Sequence, residues 1–166
     1  MGTRSLTLVY DEVLDGEYVR GALEQRTKQV PIINMYRQFD GYISVHGLEL
    51  AKFLKPIRIT NGISGDPTNT ANGMGCLAAQ IVLHFKKSVE NYRWDKSKDD
   101  MVSYDSHVGN IYLYPTDARD CGQEYEYHVY ENKVEVHRCY DSKLLFSGTW
   151  SEFYDFCNKP EDDDSN

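Results

Sequence analysis

Apolar and polar residues alternate over residues 5–10, with Leu6, Leu8 and Tyr10 on one side of the chain and Thr7 and Val9 on the other. That period of two is the signature of a strand. It returns over residues 30–39, where Ile33, Met35, Arg37 and Phe39 share one face and Ile32, Asn34, Tyr36 and Gln38 share the other. The two segments are expected to pair as an antiparallel hairpin. The polar connection between them carries a turn signal at Asp15-Gly16 and has room for a short helix over residues 21–27.

Helical spacing follows. Gly47, Leu50, Ala51 and Leu54 stand at i, i+3, i+4 and i+7, and Pro56 ends that short helix. Residues 61–73, rich in Gly, Asn, Thr and Pro, read as a loop. Met74, Leu77, Ala78, Ile81, Val82 and Phe85 then form the longest apolar stripe in the chain, with Lys86 and Lys87 at the C-terminal end that favours cations. This helix is expected to lie across the sheet.

Residues 91–109 are charged and read as irregular. Residues 110–114 form a strand in which Ile111 and Leu113 alternate with Tyr112 and Tyr114. Residues 124–130 and 133–139 form a hairpin about Glu131-Asn132, with His128 opposite Glu135 and Glu126 opposite His137. Residues 143–147 add a strand. Thr149-Trp150-Ser151-Glu152 is a capping box ahead of a helix with Trp150, Phe153, Tyr154 and Cys157 on one face. The fold class is therefore α+β: a single domain over residues 1–158, an antiparallel β-sheet with helices packed mainly on one face, and a disordered acidic tail over residues 159–166.

Composition narrows the function classes. The net charge is −8, and the tail places Lys159 against Glu161, Asp162, Asp163 and Asp164. The body is still acidic, so general nucleic-acid binding is excluded. No apolar run approaches the roughly 20 residues of a membrane span. The start, Met1-Gly2-Thr3-Arg4, leads into no signal-peptide core, so a cytoplasmic location is expected. Cys76, Cys121, Cys139 and Cys157 have no metal-site spacing and read as free thiols; neither metal nor cofactor is expected.

The densest candidate chemistry lies between residues 35 and 47. Arg37 offers a fork for carboxylate or phosphate, Asp40 can orient a histidine or accept from a ligand hydroxyl, and His46 can act as acid or base. With Gln38 and Tyr42 these residues form a candidate ligand site. The same residues also read as a structural turn in which Arg37 pairs with Asp40. Asn72 and Gly73, just before the longest helix, join the candidate site if they meet that turn in space, because a helix start can hold an anion. Otherwise Asn72 is an ordinary N-cap. Tyr112, Tyr114, Asp117, Arg119 and Asp120 form a further polar cluster able to stack a base or sugar. His128 and His137 read as ordinary cross-strand electrostatics.

Several stretches carry a family resemblance. They are Thr3-Arg4-Ser5-Leu6-Thr7, Tyr36-Arg37-Gln38-Phe39-Asp40-Gly41-Tyr42, His46-Gly47 with Glu49-Leu50-Ala51 and Phe53-Leu54, Asn72-Gly73-Met74-Gly75-Cys76-Leu77-Ala78-Ala79, and Gly109-Asn110-Ile111-Tyr112-Leu113-Tyr114. Together they resemble a family of small uncharacterised proteins found in tailed phages and scattered in bacteria and large viruses. Ile43 stands where that family commonly has Pro, and the connection over residues 11–29 is longer than the family's. The resemblance implies a phage context and no transferable activity. Small phage proteins outside the virion often act on host machinery, including its immune systems.

The expected function is a phage-encoded, non-enzymatic binding protein in the host cytoplasm that counteracts host defence. It would sequester a small nucleotide-like ligand or inhibit a host protein; the oligomeric state is left open. One alternative is a small hydrolase or transferase acting on a phosphate- or ribose-containing substrate through His46, Asp40 and Arg37. Another is an acidic DNA mimic or protein-interaction module.

Overall fold

A computed structural model describes residues 2–159 apart from 20, 63–64 and 108. Its centre is a six-stranded sheet. Strands β1 (Ser5–Val19) and β2 (Ala22–Arg37) form a long antiparallel hairpin, and β7 (Ile111–Tyr114) pairs with the outer side of β2. On the other side β8 (Tyr125–Val129), β9 (Val134–Arg138) and β10 (Lys143–Gly148) follow as a meander, giving the order β10-β9-β8-β1-β2-β7. The chain is a single α+β domain, and its sheet is mixed rather than wholly antiparallel. β1 and β8 run parallel, with Leu6 beside Glu126 and Leu8 beside His128. That pairing joins residues distant in sequence, so no local pattern encodes it.

Three helices cover one face. They are α1 (Leu48–Leu54), α2 (Gly73–Phe85) and α3 (Trp150–Cys157). The expected stripe of α2 is buried at Met74, Leu77, Ala78, Ile81 and Phe85. It meets Val9, Met35, Tyr127, Val129, Val134 and Val136 from the sheet in one core, with Leu50, Ala51 and Leu54 from α1 and Phe153 and Cys157 from α3. The capping box of α3 forms as expected: Glu152 N–H donates to Thr149 Oγ1 at 3.2 Å, and Thr149 N–H donates to Glu152 Oε1 at 3.0 Å. Such a cap satisfies two helix N–H groups that otherwise lack partners.

The opposite face of the sheet is only partly covered. Leu6, Leu8 and Tyr36 are buried there with Tyr10, Tyr114 and Cys121. The connection after β7 lies over them, held where Asn34 Nδ2 donates to the carbonyls of Pro115 and Ala118 at 3.0 and 2.9 Å. Over β8 and β9 that face stays open.

Local expectations fail at four places. Asp15-Gly16 does not turn: Asp15 faces Arg26 and Gly16 faces Gln25 within the hairpin, and Gly21 instead takes the left-handed φ of +82°. Past Gly21, residues 22–27 are strand rather than helix, because they continue the hairpin pairing against Leu14 to Val19. Residues 91–109 are not irregular but hold most of a second hairpin, β5 (Ser88–Asp95) and β6 (Asp100–His107). Its turn is fixed by Asp95 Oδ1, which accepts from both the N–H and the hydroxyl of Ser97 at 2.9 and 2.6 Å. Within residues 61–73 the loop ends in β4 (Thr70–Asn72), paired in parallel with β3 (Arg58–Thr60). The acidic residues 160–166 lie outside the described residues. Among the described residues no helix is long and apolar enough to cross a membrane.

Candidate functional site

The turn after β2 is held from several sides. Gln38 N–H donates to Asn110 O at 2.9 Å, and Gly41 N–H donates to Thr3 O at 2.8 Å. Asp40 takes a left-handed φ of 61°, and Tyr127 Oη donates to Gly41 O at 2.8 Å. A Cβ on Gly41 would come within 2.9 Å of the Arg4 backbone, so only glycine fits there. A π-helical turn at Ile43–Gly47 then leads into α1 and carries His46 inward.

His46 is completely buried. Arg37 Nη1 donates to its Nδ1 at 3.2 Å, which leaves Nε2 protonated to donate to Thr7 Oγ1 at 2.7 Å. Phe85 and Tyr127 flank its ring at centroid distances of 4.7 and 5.0 Å. Burial, reinforced by the Arg37 charge, holds its pKa down to about 3. Arg37 also donates through Nε to Phe39 O at 2.8 Å and meets Glu49 Oε2 at 3.3 Å. Its partners are therefore His46, Phe39 and Glu49 rather than Asp40.

The structure thus brings Arg37 and His46 together inside the fold, while Asp40 and Tyr42 face solvent and Gln38 is partly exposed. Asn72 and Gly73 do not join them. Asn72 Oδ1 accepts from Gly62 N–H at 2.7 Å and makes no cap bond. It lines a small cavity of about 200 Å³ with Thr60, Asp66, Thr70, Cys76 and Gln80, which includes none of the residues from 37 to 46. A buried neutral imidazole with both nitrogens engaged cannot exchange protons with a substrate in solvent. The geometry therefore opposes an acid–base role for His46.

The open face over β8 and β9 has the richer chemistry. It holds a groove of about 700 Å³ lined by Tyr10, Arg119, Glu126, His128, Glu135, His137 and their neighbours. Strand alternation puts them there: Tyr127, Val129, Val134 and Val136 are buried under the helices, so Glu126, His128, Glu135 and His137 point the other way. The register places His128 opposite Glu135 and Glu126 opposite His137, as the sequence implied. The parallel partner β1 adds Tyr10, which stacks on Tyr130 at a centroid distance of 4.4 Å.

These side chains form a continuous polar line. Tyr10 Oη and His128 Nδ1 share a hydrogen bond at 2.6 Å, and His128 Nε2 lies 3.5 Å from Glu126 Oε1. Arg119 Nε is 3.4 Å from the same oxygen, and Cys139 Sγ donates to Glu126 Oε2 at 3.3 Å. The His128 and His137 rings meet edge to face at 4.8 Å, and His137 Nε2 is 3.4 Å from Glu135 Oε2. Burial, with the adjoining Tyr130, pushes the Tyr10 phenol up to about 12. Burial and the Glu126 carboxylate push the Cys139 thiol up to about 12. Neither group is an activated nucleophile at neutral pH. His128, and then the Cys139 and Arg119 contacts, hold the Glu126 carboxyl below its ordinary range against burial, so it stays charged.

Of the cluster foreseen around Tyr112, Arg119 and Asp120 line this groove. Tyr112 and Tyr114 instead gather on Tyr36 at 4.7 and 5.0 Å. Among the described residues no three His, Cys, Asp or Glu side chains converge as metal ligands. All four cysteines are free. Sequence reasoning set His128 and His137 aside and missed Tyr10. The alternation of polar residues along residues 126–137 was a visible signal, but the strand that completes the groove was not. No family model matches the chain, and neither the curated proteins nor the solved structures include a match.

Proposed function

We propose that this chain is a non-enzymatic binding protein that meets its target through the groove on the open sheet face. The carrying observation is that groove itself: a cavity built from half-buried polar side chains on rigid strands, with no activated nucleophile among them. The resemblance to small phage proteins supports a target in the host cell, with interference in host defence as the outcome. Blocking a host protein fits the groove better than sequestering a nucleotide. Arg138 is already paired with Asp141 at 2.7 Å and Arg119 lies on Glu126, which leaves neither arginine for a phosphate.

The test uses purified protein as bait against host proteins, with thermal shift against a nucleotide and signalling-dinucleotide panel. A host protein captured by the wild type and by a Tyr42→Ala variant, but lost with Glu126→Gln/Glu135→Gln, is the expected result. Absence of both a captured protein and a nucleotide shift rejects the function. Loss with Tyr42→Ala but not with the groove variant moves the site back to the turn.

A further inference from the structure

We propose that the outer face of α2 pairs with the same face of a second copy of the chain, the two helices running antiparallel about a two-fold axis at Ala79. The composition of the helix is the first argument. Its 13 residues include no Asp, Glu, Lys or Arg, in a chain that is 27% charged. A surface helix keeps charged and polar residues on the side away from the core, whereas a helix apolar all round is a buried one. Met74, Leu77, Ala78, Ile81 and Phe85 already fill the core side of α2. The opposite side presents Gly75, Ala79 and Leu83, all exposed, between half-buried Cys76 and Val82. Leu83 stands 74% exposed.

Shape selects a second copy as the occupant. A two-fold contact needs a surface that complements itself. Gly75, Ala79 and Leu83 stand at i, i+4 and i+8, a single ridge along the helix. An axis at Ala79 carries Leu83 of one copy onto Gly75 of the other. A Cβ added at Gly75 would meet nothing within 4 Å, so that seat is open. The short Ala79 side chains at the axis let the two helices close, and each leucine drops into the gap of the facing helix.

Charge fixes the direction. Lys87, 59% exposed, follows the C-terminal end of α2. Asp66 lies exposed at the N-terminal end, on a cavity that it shares with Asn72, Cys76 and Gln80. Antiparallel pairing brings Lys87 of each copy to the end where Asp66 of the other lies. Parallel pairing would set lysine against lysine. The helix is only about 20 Å long. Its face is smaller than the roughly 800 Å² per partner of a standard interface, so the pairing is weak and depends on concentration. Because α2 covers the other side of the sheet, the groove stays open in both copies.

The experiment is sedimentation equilibrium of the full chain from about 5 to about 500 µM. The wild type is expected to pass from monomer to dimer with a dissociation constant on the order of 10–100 µM. Leu83→Asp alters an exposed side chain and should weaken the dimer about tenfold or more. Gly75→Leu fills the seat and should weaken it similarly, while raising the thermal midpoint because leucine favours helix over glycine. Lys87→Asp should weaken it severalfold, and Asp66→Lys/Lys87→Asp should restore it. Circular dichroism confirms that each variant is folded. A wild type that stays monomeric to about 500 µM overturns the proposal, as does a dimer unaffected by Leu83→Asp and Gly75→Leu. A double charge variant no tighter than Lys87→Asp overturns the antiparallel arrangement. If the chain stays monomeric and Leu83→Asp instead abolishes capture of a host protein, the face belongs to that protein and the proposal falls.

Discussion

His46 makes the protein's stability depend on pH in a way that can be isolated. Its imidazole has an ordinary pKa of 6.5 and is held down to about 3 in the fold. Above pH 6.5 it is neutral in both the folded and unfolded chain and contributes no pH dependence. As pH falls from 6.5 towards 3, the unfolded chain takes up a proton that the folded chain refuses. Stability is therefore lost on acidification, at up to about 1.4 kcal/mol per pH unit. The gap between the two values limits the whole loss to roughly 4–5 kcal/mol, a large part of the roughly 5–15 kcal/mol that holds an ordinary domain together. Glu126, held below its ordinary value, loses its contribution at lower pH and in the same direction. Urea unfolding of wild type and His46→Gln between about pH 7 and about pH 4.5 separates the two, because the carboxylates are common to both proteins. The wild-type curve should fall more steeply below about pH 6, by close to 1 kcal/mol per pH unit. Parallel curves would show that His46 titrates freely and that its burial against Arg37 and Thr7 is wrong.

Other consequences follow from the same packing. Gly41→Ala should cost about 1–3 kcal/mol in urea unfolding, because the new methyl meets the Ser5 side chain and the Arg4 backbone, neither of which can swing away. Tyr127→Phe should cost about 1–2 kcal/mol by leaving the Gly41 carbonyl without its buried donor. Thr149→Ala should cost about 1 kcal/mol through loss of the α3 cap, read as a lower thermal midpoint with an unchanged fold. In acrylamide quenching, Trp94, 53% exposed on the β5–β6 hairpin, should respond strongly. Trp150, whose indole donates to Tyr130 O at 3.0 Å, should respond weakly; equal quenching of the Trp94→Phe and Trp150→Phe variants would contradict the packing of α3.

Legibility followed the range of the interactions. The stripe of α2, the capping box at Thr149 and the register of His128 against Glu135 depend on residues a few positions apart, and pattern alone placed them. The parallel pairing of β1 with β8 brings Tyr10 to His128 across 118 positions, and nothing local announces it. The cluster around Arg37 was visible as composition but not as geometry. Whether His46 opens to solvent or turns under Phe85 is decided by the turn at Ile43–Gly47 and by Tyr127 behind it. The acidic character was legible as a total. Its pairing on the open face, with Glu126 beside Arg119 and Glu135 beside Lys133, needed the fold.

The groove on the open face, rather than the turn around His46, is the central claim, and the imidazole resonances report on both places at once. His128 and His137 line the groove and His46 is sealed in the core. In a proton NMR titration of the wild type with a host protein that it captures, the Cε1–H signals of His128 and His137 should shift together with saturation, and that of His46 should stay in place. A saturating shift of His46 with His128 and His137 unmoved would contradict the account.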